Sequence, residues 1–95
     1  MKNKTFTQLK SASIKIKDEM KIEELIFNGD ERYDVLLEFL EHHPLFEDKT
    51  SQGLRYFTKV KYNKNENDLE LLAIVDENYR INEVSLEFKN TKNGK

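Results

Sequence analysis

The stretch GLRYFTKVKYNKNENDLELLAIV (residues 53–75) decides how this chain is read. Before Gly53 the apolar residues recur every three to four positions. After it they recur every two. Successive side chains of a β-strand point to opposite faces, so the switch marks a change from helix to sheet. Leu54, Tyr56, Thr58, Val60 and Tyr62 fall on one face, and Arg55, Phe57, Lys59 and Lys61 on the other. The polar run NKNEND (63–68) reads as a turn. LELLAIV (69–75) is apolar on both faces, as a central strand should be. DENYR is a second turn, and residues 81–88 give a third strand in which Val84, Leu86 and Phe88 alternate with Glu83, Ser85 and Glu87.

Working back from Gly53, the clearest helix begins after Asp30. Asp30 can cap it, and Glu31 and Asp34 sit in the first turn, where the helix dipole favours acids. Tyr33, Leu36, Leu37 and Leu40 form its apolar stripe, widened by Val35 and Phe39. Pro44 disfavours helical geometry in the residue before it, which places the helix end near His43. Further back, Leu9, Ala12, Ile16 and Met20 lie on one helical face, with Thr5 or Thr7 able to cap. The alternating IKIK of residues 14–17 is the competing strand signal. Gly29 should break whatever residues 25–27 form. The expected architecture is α+β: two N-terminal helices packed on a three-stranded antiparallel meander. The 95 residues fit one domain, with a frayed tail from Asn90.

Composition narrows the function classes. The net charge of −2 excludes a polycation that coats nucleic acid, although a local basic patch is allowed. With no cysteine there is no disulfide, thiol nucleophile or Cys-ligated zinc, which fits a cytoplasmic setting. No apolar run is long enough to span a membrane, and the first twenty residues lack the apolar core of a signal peptide. Only Gly29, Gly53 and Gly94 are present, so there is no glycine-rich phosphate loop and no nucleotide cofactor is expected.

The stretch HHPLFEDKTSQG (42–53) concentrates chemistry-bearing side chains. His42 and His43 are adjacent and diverge on a helix, so they do not chelate one metal, and no metal site is expected. Glu47, Asp48 and Lys49 have no second carboxylate at a useful spacing, and no nucleophile elbow frames Ser51. The plain reading is a corner: His43 and Pro44 end the helix, and Gly53 turns the chain into the first strand. The face Arg55, Phe57, Lys59, Lys61 is the more suggestive feature. Basic side chains interleaved with an aromatic ring can hold phosphates and stack a base, and Lys64 would extend the patch. The plain alternative is a charge-balanced face opposite Glu83 and Glu87.

The run FLEHHPLFEDKTSQGLRYF (39–57) resembles the signature of the DCL domain. That family is named for the plant plastid protein "defective chloroplasts and leaves" and includes small bacterial and phage proteins. Its pattern is a leucine-rich helix, His-Pro, a few residues, Lys-x-Gly-x-Gly and an aromatic strand. His43-Pro44 and Lys49 with Gly53 match in type and spacing. FTQLKSAS is similar to the family's opening helix, and DENYRINEVSL takes the place of its Asp-Gly turn and following strand. Ser51 stands where the first glycine would be, Glu77-Asn78 replaces the Asp-Gly pair, and the closing Lys-Cys is missing. The resemblance supports the helix–helix–meander reading and implies association with RNA, since the plant members act in ribosomal RNA maturation. It implies no catalytic residues.

Two functions are therefore expected. One is a non-enzymatic module bound to RNA or a ribonucleoprotein through Lys49, Arg55, Phe57, Lys59, Lys61 and Lys64. The other is a small, phage-encoded protein-binding inhibitor or adaptor acting on a host enzyme, with an apolar or acidic hot spot drawn from Glu66, Asp68, Glu70 and Asp76. In either case the chain would be a monomer or a weak homodimer. A hydrolase built on His42 or His43 with Ser51 is the least favoured reading.

Overall fold

A computed structural model describes residues 5–88, leaving aside the side chain of Lys64. The expected tail from Asn90 lies outside the described residues. Within them the α+β reading holds, with more elements than expected. The order is α1 (Phe6–Glu19), β1 (Ile26–Phe27), α2 (Glu31–Leu40), α3 (Phe46–Thr50), β2 (Tyr56–Lys64), β3 (Asn67–Val75) and β4 (Ile81–Val84). The sheet has four antiparallel strands in the order β1-β2-β3-β4, not three.

Local chemistry explains most boundaries. Thr5 caps α1 through a reciprocal box with Gln8: the Gln8 N–H donates to Oγ1 of Thr5, and the Thr5 N–H donates to Gln8 Oε1. Asp30 caps α2 by accepting from the Arg32 N–H. Arg32 then bridges back to Asp30 at 2.7 Å and to Glu24 at 2.9 Å, tying the start of α2 to the crossover from α1. The Lys21 N–H and Arg32 together hold the Glu24 carboxyl below its ordinary range. Helix α2 ends at Leu40, earlier than Pro44 alone requires, and residues 41–45 form turns before α3 begins. The meander's first turn is tighter than the six-residue run suggested. Lys64 pairs with Asn67, leaving Asn65 and Glu66 as a two-residue turn with φ of 52° and 66°. Both central residues with positive φ make the turn that matches strand twist. The last strand closes at Val84, four residues before the expected end at Phe88.

The missed strand, β1, forms at the edge of the sheet. Ile26 pairs with Phe57 and Phe27 with Tyr56. Two residues are too few to leave a periodic signal.

Both long helices lie on one side of the sheet. Leu9, Met20, Leu36, Phe39, Leu40, Ile26, Phe57, Leu72, Ile74 and Val84 fill the layer between them. Tyr33 of α2 meets Phe57 edge-on, with ring centroids 5.3 Å apart. At the other end Phe39 stacks on Phe88 at 4.7 Å, and Phe6 packs against both. Ser13 is fully buried in α1, and among the described residues its hydroxyl has no hydrogen-bond partner. A buried hydroxyl without a partner is destabilising, so Ser13→Ala should raise stability by about 1 kcal/mol, or about 4–8 °C in Tm. Thermal melts of both proteins would check this, and a lower Tm for the alanine variant would contradict the assignment.

Candidate functional site

The register assigns every strand residue to a face. Directly opposed residues share one, so Phe57, Lys59 and Lys61 of β2 face the same way as Ile74, Leu72 and Glu70 of β3 and Val84 of β4. This is the side that the helices cover. Phe57 is 0% exposed and Lys59 3% exposed, so the expected open basic–aromatic face does not exist as such. The correction has a physical cause. Lys59 points inward because its ammonium finds two partners there: it donates to the Met20 carbonyl at the end of α1 (2.9 Å) and pairs with Glu70 (3.0 Å). A buried cation is tolerated when it is paired and hydrogen-bonded, and a helix C-terminus favours positive charge.

The remaining members of that set scatter. Lys49 reaches from α3 to donate to the Glu83 main-chain carbonyl on β4 (3.0 Å), which blunts an edge strand. Arg55 sits over the Tyr79 ring at 4.4 Å and 3.6 Å from Glu77. Lys61 is exposed and pairs with Asp68 at 3.3 Å. Lys64 continues β2, and its side chain lies outside the described residues. The structure thus does not gather Lys49, Arg55, Phe57, Lys59 and Lys61 on one surface.

The acidic set scatters as well. Asp76 is buried in the β3–β4 turn, accepting from the N–H groups of Asn78 and Arg80. Asp68 and Glu70 pair with lysines, and Glu66 is at the tip of the hairpin.

The segment 42–53 forms a corner, with one extra turn of helix in it. His43 is half-buried against Phe88, ring centroids 4.6 Å apart, and its Nδ1 accepts from the Leu45 N–H at 2.9 Å. Burial, and then the nearby Lys49, push its imidazole below the ordinary value. His42 packs edge-on against Phe6. The Ser51 hydroxyl donates to the Asp48 carbonyl, so it is occupied in ending α3. Pro44 lies exposed in the turn between α2 and α3. Gly53 has φ of +90°, and a Cβ there would run into the Glu77 side chain, so both its conformation and its space suit glycine.

The surface that sequence reasoning missed is the opposite side of the sheet. Phe27, Tyr56, Thr58, Val60 and Tyr62 share it with Leu69, Leu71, Ala73, Val75, Ile81 and Glu83. Leu25 and Tyr79 border it. No described helix covers this side. Phe27, Tyr62, Leu69, Tyr79 and Ile81 are each 41–63% exposed. Phe27 packs on Tyr56 with centroids 5.1 Å apart. A shallow groove of about 320 Å³ runs across the face, walled by Leu25, Tyr56, Val60, Tyr79 and Ile81, with Glu23 at its lip. Tyr79 is held at φ of +61° and Glu23 at +69°, conformations that non-glycine residues rarely adopt. Such strain recurs at binding sites. A signal was present in the sequence: β3 is apolar on both faces, so a one-sided helical layer must leave one of them open.

Among the described residues no group of three or more His, Cys, Asp or Glu is placed to hold a metal, and no helix is long and apolar enough to cross a membrane.

Two predictions follow from Lys59 and His43. Replacing Lys59 by Ala strands the Met20 carbonyl and should cost about 2 kcal/mol or more, read as a lower urea midpoint. A surface role would leave the midpoint unchanged. For His43, a folded pKa below the unfolded value means that the unfolded chain binds the proton more tightly. The stabilisation is complete above the ordinary value of 6.5 and is lost as pH falls below it. Protonation also removes the Nδ1 acceptor. Tm should therefore fall between about pH 7.5 and about pH 5.5, and the slope should flatten in His43→Asn, whose amide oxygen can keep the Leu45 bond. Equal slopes would refute the assignment.

No protein-family model, curated protein or solved structure matches this chain. The likeness to the DCL domain therefore rests on the residues that first suggested it.

Proposed function

We propose that this chain is a non-enzymatic binding module that docks a protein through the helix-free face of its sheet. The observation that carries the proposal is the exposure of Phe27, Tyr62, Leu69, Tyr79 and Ile81 on a single face. Monomeric proteins seldom expose contiguous apolar surface of this kind, and where they do it marks an interaction site. Aromatic side chains on a rigid sheet are good anchors, since they bring large area at little conformational cost. The charge pattern supports the same reading. Lys59 and Lys61 lie on the helix-covered side, and by register the outer side of the strands has a single basic position, Lys64 at the far end of β2. A phosphate backbone would find little there to neutralise it. The RNA-associated reading, in contrast, keeps its support from the DCL resemblance and loses that of Phe57 and Lys59. Within this proposal the module acts in the cytoplasm as an inhibitor or adaptor on a host enzyme.

The test compares wild type with a Phe27→Asp/Ile81→Asp variant and a helix-face control, Glu38→Lys. Each is checked for an unchanged circular dichroism spectrum. The partner captured by wild type from a lysate of the source cells should be retained by Glu38→Lys and lost by the sheet-face variant. Fluorescence anisotropy with a pool of short RNA and DNA, at about 50 and about 200 mM salt, supplies the other arm. Micromolar binding that drops steeply with salt would overturn the protein-docking proposal in favour of RNA.

A further inference from the structure

We infer that the outer-face groove is a socket for a cationic side chain, lysine or arginine, projecting from an apolar patch of the partner protein. This rests on the docking proposal above and names the chemistry of what docks. The walls come first. Leu25, Val60 and Ile81 offer an apolar channel, and Tyr56 and Tyr79 offer ring surfaces. Lysine and arginine carry a long apolar stem below a charged head, and aromatic faces attract cations through their quadrupole.

The charge of the face comes second. On the strands the face carries Glu83, to which the hydroxyl of Tyr62 already donates, and β2 ends at a position of the same register side, Lys64, at the far end from the groove. Glu23 at the lip is exposed, and among the described residues it has no ion-pair partner. Its main chain is fixed: the Glu23 N–H donates to the Lys59 carbonyl at 2.8 Å, which sets the residue beside β2 at positive φ. A purely apolar side chain in the groove would desolvate that carboxylate without compensation. An acidic one would be repelled. A cationic head at the lip satisfies it, and complementary charge of this kind selects partners and speeds encounter.

The third observation is a cation already present. The Arg55 guanidinium lies 4.4 Å from the centroid of Tyr79, so that ring is already engaged by a cation of the chain itself, and an incoming cationic head is left the Tyr56 ring and the Glu23 carboxylate.

The experiment titrates the isotopically labelled full chain with three small probes, followed by amide chemical shifts. N-acetylarginine amide is the cationic probe. N-acetylcitrulline amide has nearly the same shape and no charge, and N-acetylleucine amide is apolar. The arginine probe should shift the amides of Glu23, Val60, Tyr79 and Ile81 and bind at least about tenfold more tightly than citrulline. That preference should disappear in Glu23→Gln. Equal affinity for arginine and citrulline, or arginine shifts confined to other residues, would overturn the inference. Leucine shifts at these amides without any arginine preference would overturn it while leaving the docking proposal standing. Silence from all three probes would overturn both.

Discussion

The fold depends on one ammonium group on the inside of a sheet. Lys59 donates from its side chain to the last turn of α1 and accepts on its own carbonyl from Glu23, two residues beyond the crossover's start. Side chain and main chain thus clamp the same short segment. The first contact fixes where α1 ends against the sheet. The second lays residues 23–27 alongside β2, so that Ile26 and Phe27 arrive in register with Phe57 and Tyr56. Without the clamp a two-residue strand has little to hold it, and the edge that carries Phe27 has no defined place. A lysine can do this because its stem lies on the apolar layer while its head meets a helix C-terminus and Glu70.

The clamp also explains the asymmetry of the two faces. Phe57 and Lys59 turned inward carry Ile74, Leu72 and Val84 with them, since a strand's alternate residues move as a set. Tyr56, Val60, Tyr62, Leu69 and Ile81 are then left on the side without helices. The same choice removes the basic face and creates the aromatic one, so the loss of one site and the appearance of the other are a single event.

The corner between α2 and β2 serves this arrangement. His43 packs on Phe88, Lys49 reaches a carbonyl of β4, and the turn after β3 leans on the same segment through the bond from the Glu77 N–H to the Gln52 carbonyl. Side chains that looked like chemistry in the sequence are engaged in holding β4 and the end of β3 in place. That turn presents Tyr79 beside the groove, so the corner bears on the candidate site without belonging to it.

What the sequence by itself determined was local. The change of period at Gly53, the cap at Asp30 and the glycine at the corner each express a short-range rule about backbone conformation or orphan hydrogen-bonding groups, and each is met in the structure; of the two threonines that could cap the first helix, Thr5 does so. Which face of the sheet is covered was decided only by tertiary structure. Alternation in β2 is symmetric under exchange of its faces, and by apolar content the Tyr56–Val60 side is the better candidate for the core. The outcome turned on groups far away in the chain: a helix carbonyl at Met20, a ring at Tyr33 and an edge strand at Ile26. A lysine reads as solvent-facing until a helix terminus is placed where its charge is needed, and nothing within a few residues of Lys59 carries that information.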